Sequence, residues 1–256
     1  MSPTTATSTY RLGDEIPLED LLALPPDGQR YGRDERGRLC LMSPERFYVH
    51  RAPITMLHQR LAVALPPTRP VTCEGSLALP VLVRLDGSPL PESPLGPRGL
   101  EPDLVVFDGW PRSAGPTADA KSVHVDKVTL VVEVLSARTW RSDLGVPRPS
   151  SATAQKAVDD VDRWQSYLRS GVPEVWMINV GVPGTPLPIG SGLFVRNAGA
   201  TWAPAEVEGS VSAVAEPIHG IQPVVAGRIR SRTGFVLDLA EFLAAARAAR
   251  EASEGP

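Results

Sequence analysis

Val128-Thr-Leu-Val-Val-Glu-Val-Leu135, followed after a polar loop by Ala152 to Ser170 and then by Gly171-Val-Pro-Glu-Val-Trp-Met-Ile-Asn-Val180, decides the fold. The first run is apolar and β-branched, and the last run, from Val175, is apolar too. Between them the residues from 152 to 170 carry a helical pattern, broken by Gly171-Val-Pro-Glu174. Strand, helix, strand predicts a βαβ unit with a mostly buried sheet. Glu133 is the anomaly, because an ionised carboxylate in a buried strand is expensive unless it pairs or binds a cation. Two readings stand side by side: a salt-bridged Glu at a strand end, or a metal ligand or catalytic carboxylate.

A second acid of interest lies one strand earlier. Glu101-Pro-Asp-Leu-Val-Val-Phe107 opens a strand with Asp103 at its mouth. If the two strands pair antiparallel, Asp103 and Glu133 approach the same sheet end. Two carboxylate oxygens there would suit a hard cation such as Mg²⁺ or Mn²⁺. Such an ion polarises a phosphodiester and acidifies a bound water. It also keeps two neighbouring acids ionised.

The helix pattern offers basic groups. Ala154, Ala157, Val158, Val161, Trp164 and Leu168 form an apolar stripe. Lys156, Asp160, Arg163 and Tyr167 fall on a separate strip, with Lys156 and Arg163 about 10 Å apart along the axis. The alternative is a solvated strip with Lys–Asp pairing four residues apart.

Whole-chain properties bound the function class. The 256 residues, 42% hydrophobic with a net charge of −3, fit a globular protein. No apolar run nears the roughly 20 residues a bilayer span needs, and Met1 to Thr9 lacks a signal-peptide core, so a cytoplasmic protein with no membrane partner is expected. Cys40 and Cys73 form no zinc spacing. A pI near 5.9 confines any nucleic-acid contact to a local surface.

Around the central unit, residues 1–15 read as a disordered N-terminus, Ile16–Leu24 as a short helix and Tyr31–Met42 as a hairpin or strand. His50–Leu65 has helical spacing at Ile54, Leu57, Leu61 and Leu65 and carries His50 and His58, each read as a surface or capping residue or as a functional one. Val71–Leu85 reads as one or two strands containing Glu74, Asp86–Gly99 and Trp110–Lys121 as loops, Gly192–Arg196 with Thr201–Ala203 as a hairpin, and Ser212–Val225 as further strand. Arg228-Ile-Arg-Ser-Arg232 reads as a solvated loop, or as a phosphate contact. Gly234–Leu243 leads into a terminal helix whose end and tail occupy 244–256.

Glu-Val-Leu-Ser (133–136) and Tyr-Leu-Arg-Ser-Gly-Val-Pro-Glu-Val-Trp (167–176) resemble the Uma family of putative restriction endonucleases, within the PD-(D/E)XK nuclease superfamily. Tyr31–Pro44 resembles its entry hairpin, His50–Leu65 its His-led helix, Pro102-Asp103 its "PD" and Gly234–Leu243 its closing strand and helix, so the likeness runs from about Leu18 to Leu243. The resemblance implies a mixed α/β restriction-endonuclease-like core over 16–243 and divalent-metal hydrolysis of DNA phosphodiesters. It carries Asp103 and Glu133 over as metal ligands, with a backbone carbonyl of Val134 or Leu135 as a further donor. It also implies a lysine on the helix four residues before the tyrosine, where this chain has Arg163. Lys156 is the other candidate for that role, with Tyr167 orienting the basic group and His50 and Glu74 (or Glu35) as supporting residues. Position 32, often acidic in the family, is Gly32, and the loop 142–155 is longer than the family's. A homodimer is implied by the superfamily alone. The alternative is a degenerate relative that binds DNA or a protein without cutting; a third is a hydrolase of another phosphoester.

Overall fold

The computed structural model describes residues 10–11, 14–17, 31–33, 38–41, 50–73, 76–90, 99–110, 122–137, 139–146, 161–208 and 215–254. The chain divides into two compact units, Met1–Glu45 and Arg46–Pro256. In the first, β1 (Tyr31–Arg33) and β2 (Leu39–Leu41) pair antiparallel, as the turn signal at 34–37 predicts. The expected helix at 16–24 lies, from residue 18 on, outside the described residues; Ile16 and Pro17 are not helical.

The second unit is built on a six-stranded mixed sheet. Its strands are β3 (Val71–Cys73), β6 (Leu104–Phe107), β8 (Val128–Val134), β9 (Glu174–Asn179), β10 (Ser191–Asn197) and β11 (Trp202–Pro204), in the order β11-β10-β9-β8-β6-β3. Only β8 and β9 run parallel; the other neighbours are antiparallel. The apolar runs at 128–135 and 175–180 therefore become adjacent central strands, buried on both faces.

Alternation along β8 sorts its side chains between two cores. Leu130, Val132 and Val134 join Leu104, Val106, Trp176 and Ile178 under α1 (Arg51–Ala64) and the terminal helix α4 (Leu239–Glu254). Val131 and Leu135 join Val105, Phe107, Trp164, Tyr167 and Leu168 on the opposite face, where α3 (Arg163–Arg169) packs. Glu133 shares the parity of Val131 and Leu135, so it faces α3. A short helix, α2 (Trp140–Asp143), precedes α3.

Two smaller sheets flank this core: β4 (Ser76–Ala78) with β5 (Gly99–Leu100) and β7 (Ser122–His124), and β12 (Glu206–Glu208) with β13 (Arg228–Arg230) and β14 (Val236–Asp238). No helix among the described residues is long and apolar enough to cross a membrane.

Three expectations need correction. The helix pattern from 152 is interrupted: Val161 bridges Arg84, and Asp162 caps α3 by accepting the Gln165 N–H at 2.8 Å. The helix that carries Arg163 therefore begins at Arg163, and residues 151–160, with Lys156, lie outside the described residues. The segment 215–225 holds only isolated bridges, Ile218 to Ile221 and Val224 to Gly192, because short turns fold it back on itself. Finally, Arg228–Arg230 is a strand rather than a loop. Its two exposed arginines face Glu206 and Glu208 across the ladder, so cross-strand ion pairs account for the basic run.

The break after α3 follows its chemistry. Gly171 adopts φ +77°, and the N–H groups of Gly171 and Val172 cap the carbonyls of Leu168 and Tyr167. Glu174 then starts β9 fully buried. It accepts hydrogen bonds from Trp176 Nε1 (2.8 Å), Ser231 Oγ (3.1 Å) and the Arg232 N–H (2.7 Å), tying the turn at 231–235 to the sheet. Glu174→Ala strands all three donors, and about 3 kcal/mol of stability should be lost, read as a lower urea midpoint with unchanged slope.

Candidate active site

Antiparallel pairing of β6 with β8 sets Leu104 opposite Val132, which brings Asp103 opposite Glu133. The two acids are interlocked through the backbone. Asp103 Oδ2 accepts the Val134 N–H at 2.7 Å, and Glu133 Oε2 accepts the Asp103 N–H at 3.3 Å. The "PD" mouth is thereby clamped to the end of the central strand.

The remaining Glu133 oxygen meets α3. Oε1 accepts from Arg163 Nη1 at 2.8 Å and from Tyr167 Oη at 2.5 Å. Arg163 and Tyr167 are four residues apart and so share a helix face. That face is not solvated: Arg163 and Tyr167 are both buried. The salt bridge predicted as one reading of Glu133 exists, and it is made by the residue that stands where the family resemblance implies a lysine.

Burial decides the electrostatics. Desolvation raises the Glu133 carboxyl above its ordinary value; Arg163 opposes the shift and Asp103 adds to it. The Tyr167 hydroxyl is pushed well above its usual range by burial first and then by the charge of Glu133, so Tyr167 acts as a neutral donor.

His50 is the residue before α1, and its Nε2 lies 3.3 Å from Asp103 Oδ2. His58 is on α1 with Nε2 3.3 Å from the Val71 carbonyl and packs away from the acids. Glu35, Glu74 and Lys156 lie outside the described residues.

Sequence reasoning missed Asp143, on α2. It is 1% exposed, its Oδ2 accepts from Thr139 Oγ1 at 2.7 Å, and its Oδ1 faces Arg163 Nε at 3.7 Å. Burial raises its carboxyl well above the ordinary range, against the pull of Arg163. The available signal was Ser136-x-x-Thr139-x-x-x-Asp143, hydroxyls placed seven and four residues ahead of an acid just after the strand. Ser136 Oγ lies 2.9 Å from Thr139 Oγ1, and accepts the Thr139 N–H at 3.1 Å.

Among the described residues no group of three or more His, Cys, Asp or Glu side chains is arranged to hold a metal. The Asp103–Glu133 pair nevertheless has the right donor chemistry for a hard divalent ion. The contacts of Asp103 with side chains and amides fall on Oδ2, and Glu133 Oε2 accepts only a long bond. Asp103 and Glu133 would be the residues to hold such an ion, which takes carboxylate oxygens together with water.

A mixed sheet with opposed Asp and Glu on adjacent central strands, and a basic side chain from the helix behind, defines a restriction-endonuclease-like protein. The family model Uma2, described as "Putative restriction endonuclease", matches residues 18–226, most of the chain. The chain belongs to the Uma2 family. Among solved structures it is similar to a putative nuclease belonging to DUF820 from Anabaena variabilis ATCC 29413, with a TM-score of 0.44 and 14% identity over 89% of this chain and 99% of that one. No curated protein matches the chain.

Proposed function

We propose that the protein is a divalent-metal-dependent endonuclease that hydrolyses DNA phosphodiester bonds, with Asp103 and Glu133 as the metal ligands. The observation that carries this reading is the register of β6 on β8, which opposes the two acids while Arg163 reaches Glu133 from α3. Charge supports it. Glu133 and Asp143 both face the guanidinium of Arg163, and Asp103 lies beside Glu133 with His50 as its side-chain neighbour, so among the described residues the carboxylates cluster where a divalent cation would be balanced. When bound, the ion supplies charge stabilisation at the phosphate and a more acidic water.

The chain's own residues divide the remaining work. The N–H of Val134 fixes the Asp103 carboxylate, and Tyr167 fixes that of Glu133. Arg163 cannot give up its proton at neutral pH, so it acts as a fixed positive charge near the phosphate rather than as a base. Among the described residues His50, a quarter exposed beside Asp103, is a nearby imidazole that can exchange a proton with water.

A second reading rests on one specific observation: Arg163 is held in a buried ion pair rather than extended toward substrate. That favours a relative that binds DNA without cutting it. Supercoiled-plasmid cleavage in Mg²⁺ or Mn²⁺ separates the two. Wild type should nick in a metal-dependent way. Asp103→Asn, which keeps an acceptor for the Val134 N–H but loses the charge, should fall by at least about 100-fold. Retained metal binding without any cleavage would favour the second reading.

A further inference from the structure

We propose that Asp143 is a positioning residue: from α2 it holds the Arg163 guanidinium in the plane that Glu133 and the substrate phosphate require. The proposal deepens the nuclease reading and rests on it for its catalytic consequence. A guanidinium is planar, so the side chains on its separate edges set its orientation. Glu133 Oε1 engages Nη1 at 2.8 Å, and Asp143 Oδ1 stands 3.7 Å from Nε on another edge of the same planar group. The second contact is electrostatic rather than a hydrogen bond, and an anion on another edge favours one orientation of the planar group.

Asp143 Oδ1 is buried with no hydrogen-bond partner among the described residues, so its charge has the guanidinium as its counterpart. A carboxylate 1% exposed in that condition is costly for the fold. Its burial raises the carboxyl, which makes the cost explicit. Packing alone would be served as well by a neutral side chain.

The short helix that carries Asp143 is fastened on every side. Thr139 Oγ1 donates to Asp143 Oδ2 and is itself in contact with Ser136 at the end of the metal-ligand strand. Ser142 Oγ donates to the Val161 carbonyl, just before α3. His219, at φ 47°, stacks on Trp164 and places Nε2 2.7 Å from the Leu144 carbonyl. Gly145 has φ +61°, and a Cβ there would come within 2.9 Å of Asp162 Oδ1. Such a mount fixes Asp143 to α3 and to the strand of Glu133 together, which is what a residue that aims Arg163 needs.

The test compares plasmid cleavage and thermal stability in Asp143→Asn, Thr139→Val and wild type. Asp143→Asn should lower kcat by about 10–100-fold with KM for DNA within about threefold, and without a fall in Tm. Thr139→Val, which keeps the charge and removes its hydroxyl partner, should show a smaller loss of the same kind. Wild-type kcat in Asp143→Asn would overturn the proposal. So would an increase, because Asp143 would then restrain Arg163 rather than aim it. A loss of activity that only tracks a loss of Tm would assign Asp143 to the fold. An arm independent of cleavage uses the Nε–H nuclear magnetic resonance signal of Arg163, identified by its absence in Arg163→Lys. It should shift and exchange faster with water in Asp143→Asn; an unchanged signal would overturn the proposal. If wild type does not cut, the nuclease reading fails, and the resonance alone decides whether Asp143 holds Arg163.

Discussion

Glu133→Ala is expected to destabilise the protein by about 3–5 kcal/mol, because it leaves the guanidinium of Arg163 buried without its closest anion. The loss should fall toward the lower end of that range, since Asp143 remains 3.7 Å from Nε. Tyr167 loses its acceptor as well, and its hydroxyl is fully buried on the apolar face that contains Trp164 and Leu168. The energy belongs to a network, so it should not be additive. Glu133→Leu combined with Arg163→Met should cost less than the sum of the two single changes by at least about 1 kcal/mol. Urea denaturation of the four proteins measures this directly. Additive losses would mean that the pair contributes nothing as a pair.

Arg163→Met is expected to give the largest change in pH dependence. It removes the cation that lowers both Glu133 and Asp143, leaving burial and mutual repulsion, which raise them. Folded, each acid then keeps its proton at pH values where the unfolded chain, with ordinary values of 4.5 and 3.8, has lost it. Unfolding therefore releases protons, and stability falls as pH rises from about the ordinary carboxylate range through the raised values. Each acid still protonated contributes a slope of about 1.4 kcal/mol per pH unit. The drop in stability between pH 5 and pH 8 should accordingly be steeper in Arg163→Met than in wild type. Equal slopes would show that Arg163 does not hold these acids in their charged forms.

The same residues explain what could be read in the sequence. The central strands were legible because β8 and β9 are buried on both faces and so appear as unbroken apolar runs. The Asp103–Glu133 juxtaposition followed from strand order alone once antiparallel pairing was allowed. Arg163 and Tyr167 were legible as a shared strip, but its burial was not. Four-residue spacing says which side chains neighbour each other and not whether a carboxylate from a sheet will meet them. The pattern from 152 suggests one continuous helix because Val161 fits the apolar period, while the backbone bonds at 161–162 go elsewhere: Val161 bridges Arg84, and the Asp162 N–H donates to the Val83 carbonyl. Asp143 is not legible because its partner lies 20 residues on in the sequence and no periodicity links the two. The strand at 228–230 was hidden by its charges, which are neutralised across the ladder by residues that a local reading does not pair with it.

One titration bears most directly on the central claim that Asp103 and Glu133 form a single cation site. Mn²⁺ binding followed by electron paramagnetic resonance, in wild type beside Asp103→Asn, reads the site without requiring turnover. One ion per wild-type chain, displaced by Mg²⁺ and weakened at least about tenfold in Asp103→Asn, is the predicted result. Equal binding by the two proteins, or none by wild type, would contradict it.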